Sequence, residues 1–181
     1  MKLLIVYGTT EGQTAKVVRH MEKKAIALGW DVTAYNAIEN PPSPHGFDLV
    51  VLAGSVHMGK YQSALVHYAT DNAVALTDKP NAFVSVCMAA AHLGDEAQKE
   101  VDGWLAAFEE ETGWGPQQVE HVAGALKYVE YNWLKKMVMR EIARSTGEST
   151  DTSQDHEYTD WNRLDTFMKE LLERATKTKS A

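Results

Sequence analysis

Ile5-Val6-Tyr7-Gly8-Thr9-Thr10-Glu11-Gly12-Gln13-Thr14 is the stretch on which the fold turns. Lys2–Tyr7 is a short apolar run rich in branched and aromatic residues, the pattern of a strand buried on both faces. Gly8–Gly12 reads as a turn. Thr14, Val17, Val18, Met21, Ala25 and Leu28 then recur at helical spacing until Gly29 stops the helix. In an open α/β sheet, ligands bind at the carboxyl ends of the strands, where this turn lies. A helix start there offers unpaired N–H groups and a positive dipole end, which suits a phosphate. Thr9, Thr10 and Thr14 add hydroxyls, and Gly12 lets a backbone approach closely. The turn holds no Lys or Arg, so neutral donors must do the holding. It is neither a Walker loop nor the three-glycine dinucleotide fingerprint. N-capping by Thr9 or Thr10 would need one hydroxyl, and three threonines in six residues exceed that.

The rest of the chain extends the pattern. Trp30–Tyr35, Phe47–Ala53, Ala82–Met88 and Val119–Leu126 read as strands. Tyr61–Leu76, Gly94–Thr112 and a last segment beginning near Asp160 read as helices. Strands alternating with helices of crossover length predict an α/β fold, a doubly wound parallel sheet with right-handed connections. The 181 residues are expected to form a single domain, 1–181, long enough to bury about two-thirds of its unfolded surface. Residues 127–157 stand as an insert in that domain, where a short connection is expected. Its second half, Ser145–His156, is polar and reads as an open loop.

Composition narrows the function. With 18 Lys+Arg against 25 Asp+Glu the net charge is −7, which argues against nucleic acid as a partner. The single cysteine, Cys87, excludes an internal disulfide framework. The seven histidines show no metal-ligand spacing, so no metal is expected, and His20, His45, His67 and His121 read as surface or packing residues. The N-terminal apolar run is too short for a signal peptide, and no stretch approaches the ~20 apolar residues of a membrane span. A cytoplasmic protein, soluble or peripherally attached, is the expectation.

The charge is not evenly spread. Lys127–Arg144 carries five basic residues (Lys127, Lys135, Lys136, Arg140, Arg144) and two acidic ones (Glu130, Glu141), a net of +3 that leaves −10 for the remainder. Trp133, Leu134, Met137, Val138 and Ile142 fall on one helical face, with Tyr128, Tyr131 and Trp133 as amphipathic aromatics. Such a helix can lie in a membrane interface, cover a hydrophobic ligand, or simply pack on its own domain with its charges in solvent.

An aliphatic strand, an aromatic and then Thr-x-x-Gly-x-Thr resembles the FMN-phosphate signature of the flavodoxin-like family, and Tyr7 to Thr14 fit it throughout. The resemblance implies a five-stranded sheet of order 2-1-3-4-5. It places Thr9, Thr10, Glu11, Gly12, Gln13 and Thr14 around the FMN phosphate. Two further loops would flank the flavin ring: Ser55, Val56, His57, Met58 and Gly59, and then Ser85, Val86, Cys87, Met88 and Ala89. His57 and Tyr61 are candidate catalytic residues by loop position alone.

Further motifs sharpen the likeness. Gly54–Ser63, Ala123–Tyr128, Tyr131, Trp133, Gly147-Glu148, Thr150-Asp151-Thr152 and Tyr158-Thr159-Asp160-Trp161 resemble the menaquinone-dependent protoporphyrinogen oxidases, flavodoxin-like proteins with a long insert before the last helix. The sequence departs from that family at Met58, where an aromatic is usual, and in the few basic residues after the fourth strand. The resemblance implies oxidation of protoporphyrinogen IX to protoporphyrin IX, with a membrane quinone (menaquinone or ubiquinone) as acceptor, in haem biosynthesis. Lys127, Tyr128, Tyr131, Trp133, Lys135, Lys136, Arg140 and Arg144 would then meet substrate or membrane. A flavodoxin-type electron carrier and an NAD(P)H-dependent quinone reductase are the alternatives, since fold alone does not choose among them.

Overall fold

The computed structural model describes residues 1–87, 95–126 and 156–180. Five parallel strands form the sheet: β1 (Lys2–Gly8), β2 (Asp31–Asn36), β3 (Leu49–Ser55), β4 (Asn81–Cys87) and β5 (Val119–Ala123). Their order is β2-β1-β3-β4-β5, the doubly wound arrangement that the resemblance implies. Helices α1 (Gln13–Ala27), α2 (Ser63–Asp71), α3 (Ala73–Thr77), α4 (Asp95–Thr112) and α5 (Trp161–Ser180) make the crossovers and the C-terminal cover.

Strand periodicity sorts the core into two layers. Leu3, Ile5, Leu49, Val51, Val84 and Val86 face α1 and α5, where Val17, Val18, Met21, Leu164, Met168 and Leu171 meet them. Leu4, Val6, Val50, Leu52 and Phe83 face the opposite way, toward Leu65, Tyr68, Phe108 and Trp114. Covering both faces is why these strands read as continuous apolar runs.

Three boundaries differ from the sequence reading. The helix expected over Tyr61–Leu76 is two helices, broken at Asn72 (φ −115°), whose side chain donates to the Tyr68 carbonyl at 2.9 Å. An Asn that bonds the backbone locally competes with the helical ladder. The strand expected over Val119–Leu126 ends at Ala123, and the Gly124 N–H, donating to the Cys87 carbonyl at 3.1 Å, is the last rung between β4 and β5. Ala125–Leu126 then forms β6, which pairs antiparallel with β7 (His156–Glu157), so His156 belongs to a strand and not to an open loop. The insert therefore leaves and rejoins the domain through one short ladder.

The layer of α1 and α5 is also tied electrostatically. Asp165 accepts from Lys24 Nζ and meets His20 Nε2, both at 2.8 Å, and its side chain is one-third exposed. Hydrogen bonds from Lys24 and His20 hold its carboxyl below the usual value of 3.8. A folded-state pKa below the unfolded one gives stabilisation that is complete above the unfolded value and lost as pH falls through the folded one. Asp165→Asn should lower the urea midpoint at neutral pH. The gap to the unaltered protein should begin to narrow as pH falls below about 5 and go on narrowing below the usual carboxylate value, read by urea titrations across that range.

Candidate functional site

The order of the sheet reverses between β1 and β3, and the crevice there is where an open α/β sheet takes its ligand. Gly8, at the end of β1, pairs in register with Gly54 of β3. Both positions lie on the α2 face, and the chain just ahead of α2 fills them. A Cβ on Gly8 would stand 2.6 Å from Gln62 Oε1, and one on Gly54 would stand 2.8 Å from both Tyr61 Cδ1 and Leu65 Cδ2. The absent side chains let residues 61–65 press against the sheet beneath both ligand loops.

In the β1–α1 turn, Thr9 folds the loop by accepting the Gly12 N–H at 3.0 Å. Gly12 sits at φ +88°, a conformation that other residues adopt only with strain, and no side chain caps α1. The start of α1 thus presents its backbone N–H groups at the crevice with no capping side chain. Thr14 is fully buried beside them, and its Oγ1 has no hydrogen-bond partner. A buried hydroxyl without a partner costs about 1–3 kcal/mol, which a bound anion can repay. Gln13 points elsewhere: its Nε2 donates to Thr159 Oγ1 at 3.0 Å, and that hydroxyl donates to the Ala123 carbonyl at 2.8 Å. This relay ties α1 to the end of β5 beside the root of the insert. Glu11, half-buried, gives the turn its only charge, a negative one.

The second loop is a tight hairpin. His57 and Lys60 exchange backbone hydrogen bonds at 2.9 and 3.1 Å, and Met58 (φ +51°) and Gly59 (φ +77°) form a left-handed two-residue tip. Met58 is 84% exposed, the most exposed large hydrophobic residue among those described. A Cβ on Gly59 would stand 3.2 Å from Trp104 Nε1, so the hairpin rests on α4. The His57 side chain is exposed.

Tyr61 takes a different place from the one its loop position suggested. It is 8% exposed, its hydroxyl is 2.8 Å from Ser85 Oγ, and its ring packs edge-on to Phe83 and Phe108. Burial pushes its hydroxyl pKa well above the ordinary tyrosine value, so it keeps its proton. Tyr61 is a core residue of the α2 layer. Ser85, Val86 and Cys87 are likewise buried in β4, and the carbonyls of Val86 and Cys87 are taken by the N–H groups of Val56 and Gly124. Met88 and Ala89 lie outside the described residues, as do Lys127, Tyr128, Tyr131, Trp133, Lys135, Lys136, Arg140 and Arg144. Gln62 was not among the residues singled out in sequence. It joins the two loops, donating from Nε2 to Thr10 Oγ1 at 2.9 Å and to Ser55 Oγ at 2.6 Å. The only cue to it in the sequence was its place between the Gly-rich hairpin and the helix that follows.

The phosphate-type turn, the crevice and the strand order match a known group of proteins. The chain belongs to the flavodoxin domain family, which it matches over residues 4–153. It is 30% identical to the protoporphyrinogen IX dehydrogenase [quinone] of Escherichia coli (strain K12) over 173 residues, 94% of each chain. It is 28% identical to the protein of the same name from Leishmania major, over 94% of this chain and 74% of that one. Its fold is that of the oxidised flavodoxin 1 of Bacillus cereus, with a TM-score of 0.57 at 14% identity over 96% of this chain and 98% of that one.

The glycine floor gives a direct test. Gly54→Ala should cost about 1–3 kcal/mol, because the added methyl meets two fully packed side chains. A drop in the urea midpoint at unchanged slope is the expected reading.

Proposed function

We propose that this chain is an FMN-dependent oxidoreductase that converts protoporphyrinogen IX to protoporphyrin IX in haem biosynthesis. Its electron acceptor is a membrane quinone, menaquinone or ubiquinone. The observation that carries the FMN reading is Thr14: a fully buried hydroxyl without a partner, in an uncapped helix start at the switch point of the sheet. A phosphate supplies acceptors to such a group and to the N–H groups beside it. The names of the relatives from Escherichia coli and Leishmania major support the substrate and acceptor.

In this reading FMN, when bound, supplies the two-electron redox chemistry. The chain's own residues place and seal it. Thr9, Thr10 and Thr14, with the backbone from Glu11 to Gln13, hold the phosphate by neutral donors. The backbone from Ser55 to Gly59 would flank the ring, with exposed Met58 at the tip of that loop. His57, exposed at the base of that hairpin, is the candidate to take up protons as the porphyrinogen loses hydrogen. Lys127, Lys135, Lys136, Arg140 and Arg144 meet the anionic membrane surface or the substrate's carboxylates, with Tyr128, Tyr131 and Trp133 at the interface. The protein then works at the inner face of the cell membrane, where the quinone is dissolved.

Two measurements test this. Under anaerobic conditions protoporphyrinogen IX should bleach the bound flavin and menaquinone should restore its colour. Bleaching by NADH or NADPH and none by porphyrinogen would instead identify a nicotinamide-dependent quinone reductase. Thr14→Val removes the unpartnered hydroxyl at constant shape. The flavin-free variant should be as stable as the unaltered protein or up to about 1 kcal/mol more so, while its FMN affinity falls about tenfold. Thermal melts and flavin-fluorescence titrations read the two effects separately.

A further inference from the structure

Gln62 does more than bridge two loops. Its amide nitrogen gives one hydrogen to Thr10 Oγ1 and the other to Ser55 Oγ. Its Oε1 is buried without a hydrogen-bond partner, against the face of Gly8 where a Cβ would stand 2.6 Å away. The reverse amide orientation would bury two unmet N–H donors against Gly8 in place of one unmet acceptor. A hydroxyl that accepts from an amide has its own proton left to give elsewhere. Thr10 and Ser55 each thus keep a proton to donate, and so does Thr9, which accepts the Gly12 N–H. Every hydroxyl whose partner is known in these two loops is polarised the same way.

We propose that Gln62 is a positioning residue that makes the site select a phosphate-bearing flavin over its uncharged counterpart, by holding the Thr10 and Ser55 hydroxyls as outward donors. This rests on the FMN reading above and names the source of its specificity. The turn has no Lys or Arg and carries Glu11, so the orientation of neutral dipoles decides whether a dianion is accepted. Gly8 belongs to the same device, since any side chain there would displace the amide.

Gln62→Glu is the decisive substitution. A carboxylate of nearly the same shape can only accept, so it turns both hydroxyl protons inward and adds a negative charge near the phosphate. Full-length protein, freed of flavin, is titrated with FMN and with riboflavin between pH 5 and pH 8, and thermal melts of the flavin-free forms confirm folding. At pH 8 the FMN dissociation constant of Gln62→Glu should rise about 10- to 100-fold and that of riboflavin less than about threefold. The FMN deficit should narrow as the pH falls toward 5, because a protonated Glu regains a donor. Gln62→Ala should lose part of the preference for FMN with no such pH dependence. The role is overturned if Gln62→Glu binds FMN like the unaltered protein at pH 8, or weakens both flavins by one factor at every pH. Failure of the unaltered protein to take up either flavin would overturn the FMN reading itself, a result distinct from failure in the variants alone.

Discussion

Two glycines side by side set the terms for the functional edge of this domain. Gly8 and Gly54 are register partners at the ends of the two strands between which the sheet reverses its winding. Neither has a side chain, and a single short segment occupies the room both leave: Tyr61, Gln62 and Leu65. That one contact anchors the start of α2, closes the floor of the crevice and fixes the distance between the two loops. Tyr61 then reaches Ser85 on the next strand, and Phe83, Phe108 and Trp114 continue the packing to α4. The outermost layer on this face thus depends on methyl groups that are missing from the middle of the sheet.

The chemistry of the edge follows from where its charges are absent. A parallel sheet delivers helix starts and strand ends to one side, so backbone N–H groups collect there without any basic residue. The chain uses hydroxyls and one amide to shape that field. Such a turn, with no Lys or Arg of its own, is sensitive to the direction of each hydrogen bond. The pairing of Gln13 with Thr159 and the Ala123 carbonyl carries the same rigidity across α1 to the strand from which the insert departs.

Much of this was legible in the residues. The strand–turn–helix of Ile5 to Thr14 gave the fold class, and the alternation of apolar runs with helical faces gave the five strands. The flavodoxin-like resemblance gave their order. The break at Asn72 was hidden because Tyr61–Leu76 keeps a helical apolar face across it, and one side-chain hydrogen bond outweighs that pattern. The end of β5 was hidden because Gly124 is followed by residues that pair with a partner some thirty positions away. Tyr61 misled by its place near a loop: its burial depends on Gly54, on a different strand. Gln62 had no pattern to betray it, since its role lies in which of two hydroxyls it touches and which way its amide faces.

The two-residue ladder of β6 and β7 has a consequence for how such a domain diversifies. It brings residues 126 and 156 together at the rim, so the sheet sees a closed seam whatever chain runs between them. Closing a longer loop costs only slowly more entropy as residues are added. Length and composition between those points can change while the seam stays closed. A common flavin-type scaffold can in this way be refitted for a new surface by editing a hem, with the cloth untouched.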